Sequence, residues 1–238
     1  MFKEAIHHPK ARVNWNEVGR SQFSSVDGRR INGLVWRAAN PRGYLLIAQG
    51  TSMIAAEIYD TFADYRSLGL DVYIYDFRGY GLSTEGNTSL NALISDYRKR
   101  VSELNSDSRY RFRFLYGLSV GGLLFVNALA AGDLQYTAMV LDSVPNAIPF
   151  YLFCPKELDP EQILPKDCSN WLVIGGGEDR VIGSRAASLA RTAEKECGAQ
   201  ALARDDFGHI FMDGDTNTRA RLNAAADFFR SKMDPKTP

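Results

Sequence analysis

Gly117-Leu118-Ser119-Val120-Gly121-Gly122 sets a serine among small residues, directly after the apolar run Phe112 to Tyr116 and directly before the helix-like run Leu123 to Leu129. A short apolar run followed by a helical one reads as a strand-to-helix junction. Glycines on both sides let the backbone make a sharp turn there. The serine hydroxyl is then held out of the sheet, at the N-terminal end of the next helix, where developing negative charge is favoured. This spacing predicts a nucleophilic serine. A Gly-x-Ser-x-Gly string also arises in ordinary glycine-bearing loops, so the reading depends on whether the chain supplies a base, an acid and an oxyanion hole.

Outward from this turn, short apolar runs alternate with segments of helical period, the pattern of a parallel sheet with crossover helices. Gln22 to Val26 and Ile31 to Arg37 flank Asp27-Gly28, a hairpin signal. Strands are expected at Tyr44 to Gln49, Val72 to Tyr75, Ala138 to Leu141, Trp171 to Ile174 and Gln200 to Arg204. Ile54, Ile58, Phe62 and Tyr65 share one face of a predicted helix that Gly69 ends. Leu90, Leu93, Ile94, Tyr97, Val101 and Leu104 predict another, capped by Thr88 or Ser89. Two more helices are expected, from about Ile182 to Glu196 and from about Asn217 to Lys232. The fold class is α/β, a mostly parallel central sheet with helices on both faces and an N-terminal antiparallel hairpin.

The 238 residues suit one domain, residues 1–238, with a small insertion. The departure from alternation is 145–169, where five prolines and the aromatic run Phe150-Tyr151-Leu152-Phe153 predict a short lid or cap. An ordinary long loop whose aromatics pack into the core is the alternative. Basic and acidic residues balance at 28 each, which argues against nucleic acid or an anionic membrane surface as partner. No apolar run reaches the length of a membrane span, so no integral membrane association is expected. Met1 to Gly19 is polar and does not read as a signal peptide, which makes a cytoplasmic location the expectation. Cys154, Cys168 and Cys197 fit no metal-ligand spacing and read as scattered reduced thiols. A Cys154–Cys168 disulfide, together with a removed leader, would instead point to export.

A serine hydroxyl needs a neighbouring base, and histidine, with a pKa of about 6.5, suits that task. His7 and His8 lie in the polar N-terminal tail, which leaves His209 as the histidine of the folded body. It follows the last predicted strand in Asp205-Asp206-Phe207-Gly208-His209, at the sheet edge that also carries the serine turn. The orienting carboxylate is expected in Gly175-Gly176-Gly177-Glu178-Asp179. Asp179 stands further into that loop and is preferred, with Glu178 as the alternative. Asp205 and Asp206 read as solvated charges, Asp206 being a remote candidate. The oxyanion hole would combine the backbone N–H of Val120 with one from Gln49-Gly50-Thr51-Ser52-Met53, Thr51 first and Ser52 next. Asp76 and Arg78 in Asp76-Phe77-Arg78-Gly79-Tyr80-Gly81-Leu82-Ser83 are expected to brace neighbouring loops, and no elbow surrounds Ser83.

The order Ser119, Asp179, His209 and these motifs resemble the α/β-hydrolase superfamily, most of all its monoacylglycerol lipase, lysophospholipase and serine-aminopeptidase-like group. Gly50, Asp76 to Ser83, Gly117 to Gly122, Asp179 and Gly208-His209 carry the likeness, which spans residues 50 to 209. The Asp-x-Arg-Gly-x-Gly-x-Ser run is fairly specific to that group, whereas the triad motifs are shared across the superfamily. Two departures stand out. Many relatives have His-Gly where this chain has Gln49-Gly50, that histidine bracing the oxyanion loop, and often a proline where Gly183 stands. The lid is also short for the group, which implies an open site.

The expected activity is hydrolysis of a carboxylic ester, or a thioester, through an acyl-enzyme on Ser119, with no cofactor and no metal. Amides are harder, because amine departure demands more from the acid. The partner is a small-molecule acyl substrate whose apolar group the Phe150 to Phe153 run would meet. Alternatives are an acyltransferase using the same triad and a non-catalytic binding protein on a hydrolase fold. Haloalkane and epoxide hydrolysis need a carboxylate where Ser119 stands.

Overall fold

The computed structural model describes residues 13–83, 88–148 and 155–233. His7, His8, the Phe150 to Phe153 run and Cys154 lie outside the described residues. Eight strands form one sheet in the order β1-β2-β4-β3-β5-β6-β7-β8. They are β1 Gly19–Ser24, β2 Arg30–Trp36, β3 Gly43–Ala48, β4 Leu70–Tyr75, β5 Phe112–Leu118, β6 Ala138–Asp142, β7 Trp171–Gly176 and β8 Gln200–Arg204. The hairpin strands β1 and β2 pair antiparallel, as do β2 and β4, and every later pairing is parallel. Every residue of β3, β4, β6 and β7 is buried, as expected of strands covered on both faces.

The helices are α1 Ala55–Ile58, α2 Leu90–Asn105, α3 Val120–Leu129, α4 Arg185–Cys197 and α5 Asp215–Met233. One face of the sheet packs against apolar side chains of α2, α3 and α4, including Leu93, Val101, Leu124, Phe125 and Leu189. The other packs against Phe62, Tyr65, Ala225, Phe228, Phe229 and Met233, from α5 and the chain after α1. Burying each of these large side chains contributes about 1.5–3 kcal/mol. Parallel pairing brings the C-terminal ends of β3 to β8 to one edge, so the loops that follow them converge there.

Two expectations are corrected. The helix expected from Ile54 onward is only one α-turn long and continues as a 3-10 helix, Tyr59–Leu68. Tyr59, Phe62, Tyr65 and Leu68 recur every third residue, the spacing that eclipses in a 3-10 helix, and the first three are buried. The α-period of Ile54, Ile58 and Phe62 runs through the same segment, and all three are buried as well. The second correction concerns the cysteines. Cys168 forms a disulfide with Cys197, in place of scattered thiols or a Cys154–Cys168 pair. It ties the segment before β7 to the last residue of α4, and the backbone N–H of Cys168 also donates to the Cys197 carbonyl at 2.7 Å.

Of the segment 145–169, residues 145–148 and 155–169 are described. They fold onto the body: Leu158, Ile163 and Leu164 pack partly buried against the α2–α3–α4 side of the core. Asn127 of α3 donates to the Leu158 carbonyl at 3.0 Å, and Asp159 accepts from the Ile148 N–H at 2.7 Å.

Candidate active site

Ser119 stands between the last residue of β5 and the first of α3, at φ 50° and ψ −118°. A non-glycine residue held there costs about 1–3 kcal/mol, so its surroundings must enforce it. Two glycines show how. A Cβ on Gly117 would lie 2.2 Å from Gly122 Cα, and one on Gly121 would lie 2.0 Å from the Ala48 carbonyl oxygen. The first close approach lets the chain double back from strand to helix, and the second lets α3 press against the end of β3. The Ser119 N–H donates to the Asp142 carbonyl at 2.9 Å, which pins the turn to β6. Ser119 itself is 5% exposed.

Strain recurs along this edge. Among the described residues, four non-glycines have positive φ: Ser52, Ser119, Ser143 and Phe211. They fall in the segments after β3, β5, β6 and β8 respectively. Such clustering is typical of sites whose geometry is over-determined for function.

The acid and base predicted from sequence are brought together. Asp179, in the loop after β7, accepts from His209 Nδ1 through Oδ2 at 2.7 Å. Its other oxygen, Oδ1, accepts from the backbone N–H groups of Val181 at 2.9 Å and Ile182 at 3.0 Å. Burial pushes this carboxyl upward, but the hydrogen bonds from His209, Ile182 and Val181 outweigh it and hold the group below the usual carboxylate range. With Nδ1–H donating to Asp179, the imidazole Nε2 keeps its lone pair, the state a general base needs. Glu178, Asp205 and Asp206 are all exposed, and Asp206 pairs with Arg204.

The oxyanion candidates also lie at this edge. Val120 is the first residue of α3, where a backbone N–H has no acceptor within the helix. The loop after β3 runs beside the serine, since a Cβ on Gly50 would lie 3.4 Å from Ser119 Cβ. Gln49 is fully buried, and its Nε2 donates to the Met53 carbonyl at 2.9 Å. This side chain therefore closes the loop around half-buried Thr51, filling the bracing role that the resemblance gives to a histidine.

Asp76 and Arg78 brace loops as expected. Asp76 Oδ1 accepts from the Ala55 N–H at 2.7 Å, and Arg78 forks onto Asp96 while also reaching Asp27. Ser83 accepts from the Asn32 N–H and donates to the Asp76 carbonyl, both at 2.9 Å, so its hydroxyl is committed to the backbone. Among the described residues, no group of three His, Cys, Asp or Glu side chains could hold a metal ion. No helix among them is long and apolar enough to cross a membrane.

Sequence reasoning missed a buried cluster behind His209. Asp142, at the end of β6, pairs with Arg221 of α5 at 2.6 Å, both being fully buried. Burial pushes the Asp142 carboxyl upward, against the pull of Arg221 and of hydrogen bonds from Ser143 and Tyr116. Extending the β6 reading one residue past Leu141 would have put Asp142 at a strand end, where functional carboxylates gather. Arg221 left no such signal, because an arginine within a polar helix pattern reads as solvated.

A strained serine between strand and helix, an acid and a base on two further strand-end loops, and this strand order together match the α/β-hydrolase fold. The family model of serine aminopeptidases (S33) matches residues 39–152. A monoacylglycerol lipase of Mycolicibacterium smegmatis is 32% identical over 123 residues, 50% of this chain and 44% of that protein. This chain therefore aligns with less than half the length of that curated relative. Among solved structures, an esterase of Pyrococcus furiosus superposes with a TM-score of 0.72 at 16% identity, over 90% of each chain. An α/β serine hydrolase without lid from Xanthomonas campestris gives 0.66 at 18% identity, over 93% of this chain and 97% of that one. The chain thus has the α/β-hydrolase fold, and its residues 39–152 are similar to the serine aminopeptidase (S33) family.

Proposed function

We propose that the protein hydrolyses a carboxylic ester through an acyl-enzyme on Ser119. The observation that carries this reading is the 2.7 Å bond between His209 Nδ1 and Asp179, on the edge where Ser119 is held in its strained turn. In this mechanism Ser119 Oγ attacks the substrate carbonyl carbon and passes its proton to His209 Nε2. Asp179 steadies the imidazolium that forms. The Val120 and Thr51 N–H groups receive the developing oxyanion. His209 then protonates the departing alcohol, and a water activated by the same ring releases the acid. Thioesters follow the same course.

The substrate's acyl part is apolar in this reading. Val181 and Met212 are 52% and 70% exposed and stand on the two loops that the Asp179–His209 bond joins. A series of p-nitrophenyl esters graded by acyl length tests this. Each methylene that meets Val181 or Met212 contributes at most about 0.8 kcal/mol, so kcat/KM should rise up to about fourfold per added carbon over the shorter chains. A flat series would remove the apolar preference, and no turnover of any ester or thioester would remove the hydrolase reading. Adding competing alcohols to the same assay separates hydrolysis from acyl transfer by product.

A further inference from the structure

Arg221 is fully buried in the middle of α5, a position arginine rarely occupies unless it is tightly paired. Its Nη1 donates to Asp142 Oδ1 at 2.6 Å. Its Nη2 donates to the Gly208 carbonyl at 2.7 Å and to Asp213 Oδ2 at 2.9 Å. The guanidinium carbon also lies 4.1 Å from the centre of the Phe207 ring. Apart from Asp142, these partners all belong to residues 207–213, the segment that carries His209.

The same segment is held from two further directions. Asp213 Oδ2 accepts from the Gly208 N–H at 3.0 Å. Ser143 Oγ accepts from the Ile210 N–H at 3.0 Å, and that hydroxyl donates to Asp142 Oδ1 at 3.0 Å. Both backbone neighbours of His209 are thus fixed by groups that lead back to one ion pair between β6 and α5. A buried ion pair is weak evidence for stability, because an apolar replacement of similar volume is often as stable. Fixing a geometry is the better account of why charge is buried here.

We infer that Arg221 is a positioning residue for His209: with Asp142, Asp213 and Ser143 it clamps Gly208 and Ile210, so that Nδ1 meets Asp179. It touches no reacting atom. The inference rests on reading His209 as the general base, and the misplacement it prevents is of a size that costs about 10²-fold in rate when it reaches about 1 Å.

The test compares Arg221→Lys, Ser143→Ala, Asp213→Ala and Asp213→Asn in the full chain, by thermal melting, by kcat and KM on the best ester, and by proton NMR. The NMR readout is the downfield signal of the proton shared by His209 Nδ1 and Asp179, which needs no substrate. Arg221→Lys should lower kcat about 10²-fold with KM nearly unchanged, and Ser143→Ala and Asp213→Ala about tenfold, each with a weakened or lost downfield signal. Asp213→Asn keeps an acceptor for the Gly208 N–H and Arg221, and should recover most of what Asp213→Ala loses. Should Arg221→Lys fail to fold, Ser143→Ala and the Asp213 pair decide. Folded variants that keep both the wild-type kcat and the downfield signal would overturn the inference. A wild-type protein that shows the signal but turns over no ester would overturn the hydrolase reading and leave the positioning role to be judged by the NMR comparison.

Discussion

Replacing Ser119 by alanine is expected to lower kcat/KM for the best ester about 10⁵- to 10⁶-fold. The change removes one oxygen, and alanine inherits the same backbone strain at φ 50°, so the melting temperature should barely move. Ser119→Gly should be equally inactive yet melt higher. Glycine adopts that φ without steric cost, which recovers part of the roughly 1–3 kcal/mol of strain. For a protein of this size each kcal/mol corresponds to about 2–4 °C. His209→Ala combined with Ser119→Ala should be little worse than either alone, because the two act as one unit. Substantial turnover by purified Ser119→Ala would place the chemistry elsewhere.

Replacing Asp179 by asparagine should lower kcat about 10³- to 10⁴-fold with little change in KM. The expectation follows from the two carboxylate oxygens. Oδ1 is occupied by the Val181 and Ile182 N–H groups, so an amide would keep its oxygen there and turn its NH2 toward His209. That NH2 is a donor and forces Nδ1 to accept, which moves the ring proton to Nε2, the wrong place for a base that is to take the Ser119 proton. The same substitution changes the acid limb of stability. The folded carboxyl of Asp179 sits below its ordinary value because hydrogen bonds from His209, Ile182 and Val181 overcome its burial. Its contribution is therefore fully present above about pH 3.9, the unfolded value, and is lost as pH falls through the lower folded one. Asp179→Asn should thus be less stable near neutrality and lose less on acidification. Full activity in Asp179→Asn would mean that another group orients His209.

The parts of the site that were legible in the sequence rest on local rules. Glycine spacing around Ser119 follows from close approaches within a few residues of the turn, and the strand before and helix after it have their own periods. Asp179 and His209 could be singled out because each follows a short apolar run. What stayed hidden depends on partners distant in the chain. Arg221 meets Asp142 across 79 residues, and nothing in the α5 pattern tells a buried arginine from a solvated one. Cys168 and Cys197 are 29 residues apart, and their pairing follows from how α4 lies across β7 and β8. The segment after α1 misled for another reason: its apolar residues satisfy the α-period and the threefold 3-10 spacing at once, and tertiary packing chose between them.

Residues 149–154 are outside the described structure, so the proposal of an apolar acyl group rests on Val181 and Met212 instead of on the Phe150 to Phe153 run. The described flanks of 145–169 are anchored to α3 and the core. The ester series tests that proposal directly.

The central claim is that Ser119 is the nucleophile, activated by His209. Labelling of the folded protein with a fluorophosphonate, followed by peptide mapping, tests it most directly. The expected result is one phosphonylated residue, Ser119, with labelling abolished by Ser119→Ala, strongly slowed in His209→Ala, and lost on unfolding. Absence of labelling in folded wild-type protein, or a label on Ser83 or another serine in place of Ser119, would contradict it.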